Sequence, residues 1–331
     1  MSRRKDSFKV VLGTLVLGCI AYFFYRTFKA NWASVSAQSF KLDYRFLLCA
    51  LACIVATYLV PTYGWKLTIN GLSRGGKLTF SESVAVVNAS SLTKYIPGKI
   101  WSYALQMYWL SAAGFSKSLV VYVNAINLFI SLVTSLMVGL AFLIPSSDRF
   151  PPVLTVGALL ALVLVDIVAL KFHDVALKWL VAFNNKHRKR QLQYFDVSLR
   201  LMLDLHLLHL VAAMAFGLAA YFICLGIGTP VRPHEAPLLM ASLLLADTIA
   251  FAALIVPGGL GVREGIMYAM LGGAASGPVA LTLPVAARVM HMLVDVGLGA
   301  TALRLLRKLN RDAVPEPMPV GPAAGAERDA D

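Results

Sequence analysis

Charge is what this sequence has least of. Charged residues make up 14% of the chain, against about 25% in a soluble globular domain. The deficit is uneven, because Val10–Tyr25, Phe46–Trp65 and Ser118–Ser147 carry no charged residue at all. A helix needs ~20 mostly apolar residues to cross ~30 Å of hydrocarbon. The scarcity therefore argues against a soluble enzyme and for an all-α polytopic membrane protein, in keeping with a mean hydropathy of +0.71. Cysteine is scarce too. Cys19, Cys49, Cys53 and Cys224 all fall in apolar segments, and no His or acidic residue joins the Cys49/Cys53 pair to complete a metal set. Catalytic signatures are missing: there is no Walker loop and no Gly-x-Ser-x-Gly. Gly259-Leu260-Gly261 fails as a dinucleotide loop, since Glu264 stands where the third glycine belongs. His206 and His209 lack a third ligand. No metal, no other cofactor and no enzymatic activity are expected.

Acidic residues are the rarer sign, 17 Asp and Glu against 30 Lys and Arg. The basic residues sit beside the apolar segments instead of on a separate domain. That placement speaks for membrane topology and attraction to anionic lipid, and against nucleic acid. With the N-terminus inside, the inside islands hold 18 Lys and Arg and the outside islands hold 6. The positive-inside rule then puts both termini in the cytoplasm of a bacterial inner (plasma) membrane. The N-terminal Arg3-Arg4-Lys5 and apolar run resemble a signal sequence, but the run is long and lacks a small-residue cleavage site. It is read as a retained first helix.

Six spanning helices are expected, at about 8–26, 46–66, 118–144, 153–171, 203–227 and 278–303. Two further apolar segments are interrupted. Thr79-Phe80-Ser81-Glu82 has capping-box spacing and starts a helix that breaks at Pro97-Gly98 before resuming at about 100–113. A segment at about 237–256 breaks at Pro257-Gly258-Gly259-Leu260-Gly261 and resumes at about 262–273. Proline removes a donor and clashes one turn back, and glycine adds freedom. Each is read as a re-entrant hairpin. The breaks lie 160 residues apart, and the same offset carries helix 46–66 onto 206–226 and helix 118–144 onto 278–304. The expected organisation is a membrane domain over 1–311 made of inverted pseudo-repeats, about 8–145 and 153–308, with a disordered tail over 312–331. Paired breaks in halves of opposite topology point to a transporter-type site at the midplane.

Charges decorate the breaks. Lys94 and Lys99 flank the first; Arg263 and Glu264 close the second. Cations near helix termini suit a phosphate or carboxylate, although a lysine there can also simply reach to the membrane surface. On the last helix Arg288, His291 and Asp295 share a face. Charges at that depth face the bundle interior. Arg288 is expected to pair with Asp295 or with Asp247, either lining a cavity or fixing helix packing. Asp166 is read as a local partner of Lys171.

The stretches Lys94-Tyr95-Ile96-Pro97-Gly98-Lys99-Ile100-Trp101 and Val256-Pro257-Gly258-Gly259-Leu260-Gly261-Val262-Arg263-Glu264 resemble the two signatures of the lysylphosphatidylglycerol synthase/flippase transmembrane family. The first departs from many relatives in having Trp101, Ser102 and Gln106 after the Pro-Gly. The resemblance implies a flippase-like domain with two re-entrant hairpins. It implies no lysine transfer here, because only about 20 polar residues follow Arg311, too few for the soluble transferase domain of longer relatives.

The expected function is movement or binding of an anionic phospholipid or polyprenyl-phosphate-linked lipid. Lys94, Lys99, Arg263, Glu264 and Arg288 would meet the headgroup, and Asp247, His291 and Asp295 would gate or carry a proton. The rivals are a non-catalytic membrane partner of a lipid- or glycolipid-modifying enzyme, docking through the basic stretch 171–200, and a surface transferase using Glu264 with Asp247. Oligomeric state is left open.

Overall fold

The computed structural model describes residue 29 and residues 41–73, 75–95, 101–146, 150–187, 193–229, 231–252, 261–272 and 277–312. The expected first helix at 8–26 and the tail beyond 312 lie outside the described residues. So do Pro97, Gly98, Lys99, Pro257, Gly258 and Gly259 at the two breaks.

The described residues form helices and no strand. In chain order they are α1 (Tyr44–Leu72), α2 (Phe80–Ser91) continued by a 3₁₀ turn (Leu92–Tyr95), α3 (Trp101–Ala112), α4 (Lys117–Leu143), α5 (Pro152–His187), α6 (Leu199–Gly226), α7 (Ala236–Ala252), α8 (Val262–Leu271) and α9 (Gly277–Asp312). Helix starts follow the side chains available. Ser116 caps α4, Ser198 caps α6, and Asp43 accepts from the Arg45 amide at α1. The expected capping box is present: the Glu82 amide donates to Thr79 Oγ1 at 3.3 Å, and Glu82 Oε2 accepts from the Thr79 amide at 2.6 Å.

Six described helices are long and apolar enough to cross a membrane. Five are the spans expected from sequence. The sixth runs over Pro233–Phe251 and takes in all of α7 but its last residue, so the first arm of the second broken segment is longer than a short dip requires. By contrast α2 and α3 have 12 residues each and α8 has 10. At 1.5 Å per residue each spans less than ~20 Å. Helix α5 also exceeds its expected 153–171 boundary, because the basic segment that follows stays helical as far as His187. Its many exposed aliphatic residues, among them Leu160, Leu164, Ile167 and Val168, suit a helix facing lipid.

Packing follows a regular plan. Helices α1 and α6 run antiparallel: the Asp43 amide donates to the Gly226 carbonyl at 2.9 Å, and at the other end Gly71 faces Leu201. Helix α2 packs against α9, and its counterpart α7 packs against α4. Each of these crossings comes close at a glycine. A Cβ on Gly139 of α4 would lie 2.6 Å from Leu245 of α7, and one on Gly299 of α9 would lie 2.5 Å from Leu92 after α2. These two glycines are 160 positions apart, the offset between the two Pro-Gly breaks.

The buried apolar side chains form two main clusters. One gathers Ala50 and Ile54 of α1, Ile223 of α6, and residues of α7, α8 and α9. The other gathers Trp65 and Ile69 of α1, Met202 and Leu205 of α6, the first half of α4, and residues of α2 and α3. The arms of the two breaks thus sit in different cores, at opposite ends of α1 and α6. Polar residues collect between the cores. A buried chain of amides ties the first arms together. Gln106 Nε2 donates to Ser90 Oγ at 2.9 Å, and Asn124 Nδ2 donates to Gln106 Oε1 at 2.8 Å, which joins α2, α3 and α4.

Candidate functional site

A cavity of about 360 Å³ lies between the two cores, a volume within the range of small-molecule sites. It takes Thr57, Tyr58 and Pro61 from α1, Ser131 and Ser135 from α4, and His209 to Phe216 from α6, all from the middle of those helices. The 3₁₀ turn after α2 adds Lys94, α7 adds Asp247, α8 adds Arg263, and α9 adds Arg288, His291 and Asp295. The ends of both broken segments therefore reach the depth at which the long helices are half crossed. Charge is unevenly spread around this space. Apart from Lys94, the ionised residues come from α7, α8 and α9, while the first half of the chain contributes mainly hydroxyls.

The charges are paired. Lys94 Nζ donates to Asp295 Oδ1 at 2.6 Å and to Tyr58 Oη at 3.2 Å, and Tyr58 Oη donates to the same carboxylate oxygen at 2.7 Å. The ammonium also lies 5.3 Å from the centre of the Tyr58 ring. Arg263 Nη1 donates to Asp247 Oδ1 at 3.1 Å, which braces the start of α8 against α7. Arg263 itself is buried, and its Nε and Nη2 have no hydrogen-bond partner among the described residues. His291 bonds through Nδ1 to the Ala287 carbonyl and sets its ring edge-on to Phe216, with centroids 5.2 Å apart. His209 and His291 each present an Nε2 with no described partner.

Several expectations need correction. The acidic group described nearest Arg288 as an ion-pair partner is neither Asp295 nor Asp247 but Glu264, whose Oε1 stands 4.0 Å from Nη1. Asp295 is taken by Lys94 and Asp247 by Arg263, both from other elements, and this outcome depends on helix rotations that a single-helix pattern does not carry. Lys94 turns into the cavity and does not serve as a surface anchor. Glu264 does not line the cavity. Its Oε2 accepts from the Gly261 amide at 2.7 Å, capping α8, whose start requires the positive φ of 79° at Gly261. Asp166 contacts His206 Nε2 across helices at 3.2 Å, not Lys171.

Arg288, His291 and Asp295 do share one face and one cavity, as their spacing predicts. Tyr58, Ser131 and Ser135 were not singled out from sequence, and His209 was weighed only with His206 as an incomplete metal pair. The available signal was the repetition of polar residues at helical spacing within apolar runs, as in Ser131/Ser135, and Pro61 inside α1.

No curated protein matches the chain. The family described as the lysylphosphatidylglycerol synthase TM region matches residues 9–299, most of the sequence. The long apolar helices, the charged cavity half-way along them and this match agree, and the chain is a multi-pass membrane protein that belongs to the lysylphosphatidylglycerol synthase transmembrane-region family, a family tied to membrane lipids.

Proposed function

We propose that this protein moves an anionic phospholipid, or a polyprenyl-phosphate-linked lipid, from one leaflet to the other, or binds such a lipid and presents it. The observation that carries the reading is the cavity at the midpoints of α1, α4 and α6, with the guanidinium of Arg263 buried in its wall and two of its nitrogens without described partners. Charged groups at that depth are expensive and are kept for function. A guanidinium fork matches a phosphate in shape and charge. Ionised residues on one wall and hydroxyls on the other suit a headgroup with a charged phosphate and a neutral polar part.

The matched crossings of α2 on α9 and α7 on α4, with the separate cores around the two sets of arms, support two inverted halves rocking about a central site. In this reading the protein lies in a bacterial inner membrane with both termini cytoplasmic, performs no covalent chemistry, and draws on a gradient. Lys99, outside the described residues, would join Arg263 at the headgroup.

The test is reconstitution into liposomes with head-labelled phospholipids and polyprenyl phosphates, quenched by a membrane-impermeant reductant. Extra label should be lost relative to empty liposomes, and Arg263→Ala and Lys99→Ala should each reduce that loss. Failure with every lipid, by folded protein, would discard translocation. The second reading, an assembly partner for a lipid-modifying enzyme, is favoured by the extension of α5 to His187, where exposed Trp179 and Phe183 stack beside basic residues. An enzyme that co-purifies and is lost when the basic residues of 171–200 are neutralised would support it.

A further inference from the structure

We propose that an anionic headgroup enters this cavity together with one proton, and that Asp247 takes up that proton as Arg263 turns to the ligand. The inference rests on the anionic-lipid reading above and concerns how that same site is regulated.

The starting point is charge balance. Each described cation of the site faces a carboxylate: Lys94 faces Asp295, Arg263 faces Asp247, and Arg288 faces Glu264. A phosphodiester arriving with its single negative charge therefore meets no uncompensated positive charge among the described residues. Uncompensated charge in the middle of a bilayer is strongly disfavoured. With the described residues alone, binding displaces a carboxylate from its partner or brings a compensating cation with it. A proton is the smallest such cation.

Arg263 shows where the phosphate would dock. A guanidinium offers five N–H donors in a fixed plane. Only Nη1 has a described acceptor, Asp247, whereas Nε and Nη2 lack one, on a residue that is 5% exposed and lines the cavity. Both nitrogens are closed off in this conformation, so two phosphate oxygens can take this unpartnered edge in a bidentate contact once the side chain turns towards the cavity. The phosphate and the Asp247 carboxylate would then share one guanidinium at close range. Two anions so placed in an apolar site do not both stay ionised.

Asp247 is the group able to give way. Its side chain is 50% exposed and borders the cavity, so water can deliver a proton to Oδ, and Arg263 is its one described partner. Asp295 is held as a carboxylate by two donors, Lys94 and Tyr58, with its side chain 2% exposed. Glu264 accepts from the Gly261 amide through Oε2, stands 4.0 Å from Arg288 Nη1 through its buried Oε1, and does not line the cavity. The remaining titratable groups that line the site are Tyr58 on α1, Tyr103 on α3, His209 on α6 and His291 on α9; α4 presents only Ser131 and Ser135. A proton on His291 would place a cation next to Arg288 on the same helix face. Protonated Asp247 becomes a donor and can hydrogen-bond a phosphate oxygen, so the headgroup gains a contact as the carboxylate loses its charge.

The consequence is coupling. Each headgroup that crosses carries a proton with it, and a pH difference across the membrane drives the lipid. The test is calorimetric titration of the full chain, held in phosphatidylcholine nanodiscs, with short-chain phosphatidylglycerol, whose own charge is constant near neutral pH. Buffers of different ionisation heat report the protons exchanged. The expected result is uptake of about one proton per headgroup, with affinity falling towards tenfold per pH unit as pH rises. Asp247→Asn should bind with neither uptake nor pH dependence.

Heats that do not vary with buffer, in wild-type protein that binds the lipid, would overturn the inference and leave the anionic-lipid reading standing. Proton uptake that survives in Asp247→Asn would overturn the assignment to this residue. Absence of binding at every pH by folded protein would overturn the anionic-lipid reading and this inference with it. Glycerophosphoglycerol, the same headgroup without acyl chains, separates the sources: uptake with the lipid alone assigns the site to a lipid, and equal uptake with both assigns it to the phosphodiester.

Discussion

Lys94 and Asp295, 201 positions apart, meet at 2.6 Å in the wall of the cavity and pin the end of the first broken segment to the last long helix. The carboxylate is buried and also accepts from Tyr58, so three elements converge on one oxygen. Removing one partner of a buried pair costs ~3–5 kcal/mol. The partial exposure of Lys94 places this pair at the lower end of that range. Asp295→Ala should lower the thermal midpoint in detergent clearly, and Asp295→Asn less, since the amide oxygen still accepts from Tyr58. Equal midpoints for wild type and Asp295→Ala would mean that the pair does not hold the arm.

The two glycine crossings make a matched prediction. Gly139 and Gly299 allow Leu245 and Leu92 to approach closer than any Cβ permits. Valine at either position must push the facing arm away, at about 1–3 kcal/mol. Gly139→Val and Gly299→Val should therefore destabilise to a similar degree, measured as loss of monodisperse protein on heating. Valine at exposed Val296's neighbour Gly297, where a Cβ meets nothing within 4 Å, should be tolerated far better.

Gln106 joins Ser90 to Asn124. Gln106→Leu keeps the bulk but removes both contacts, at ~0.5–1.5 kcal/mol for each bond lost, while Ser90 Oγ still donates to the Val87 carbonyl and Asn124 Nδ2 to the Val120 carbonyl. Pairing it with Ser90→Ala and Asn124→Leu should recover part of the loss. A triple variant no more stable than Gln106→Leu would show that packing, not hydrogen bonding, dominates there.

Gly261 opens α8 with φ at 79°, and Glu264 closes the cap on its amide. An L side chain at such a φ costs ~1–2 kcal/mol. Gly261→Ala should thus loosen the start of α8, raising amide hydrogen exchange there while α1 and α6 remain protected. Uniform exchange across all helices would rule out this local effect.

Orientation has its own check. In a cysteine-free background, Lys178→Cys should react with an impermeant thiol reagent only from the cytoplasmic side, and Arg232→Cys only from the outside. The reverse pattern would invert the topology read from the distribution of basic residues.

Much of the architecture was legible in the residues themselves. Helix limits followed approximately from uncharged runs, and the capping box at Thr79 and Glu82 marked the start of α2. The shared face of Arg288, His291 and Asp295 followed from helical spacing. Their partners did not. Whether Asp295 meets Arg288 or Lys94 depends on how α9 is rotated against α1 and α2, a property of packing between helices distant in sequence. The extent of α5 was hidden for a different reason: hydropathy marks where a helix leaves the membrane, not where its hydrogen bonding stops. Glu264 looked like a ligand because it stands beside Arg263, yet its place in the first turn of α8 commits it to the Gly261 amide.

The crossing of α2 onto α9 also bears on how the protein is made. Helix α2 carries Ser83, Asn88 and Ser90, all buried in the finished molecule. It leaves the ribosome well before α9, the surface that covers it, has been made. Until then these polar groups have no finished core to enter and are poorly solvated by lipid. The first broken segment must therefore wait, shielded by the insertion machinery or lying at the membrane surface, and take its final place only once α9 has followed it into the bilayer.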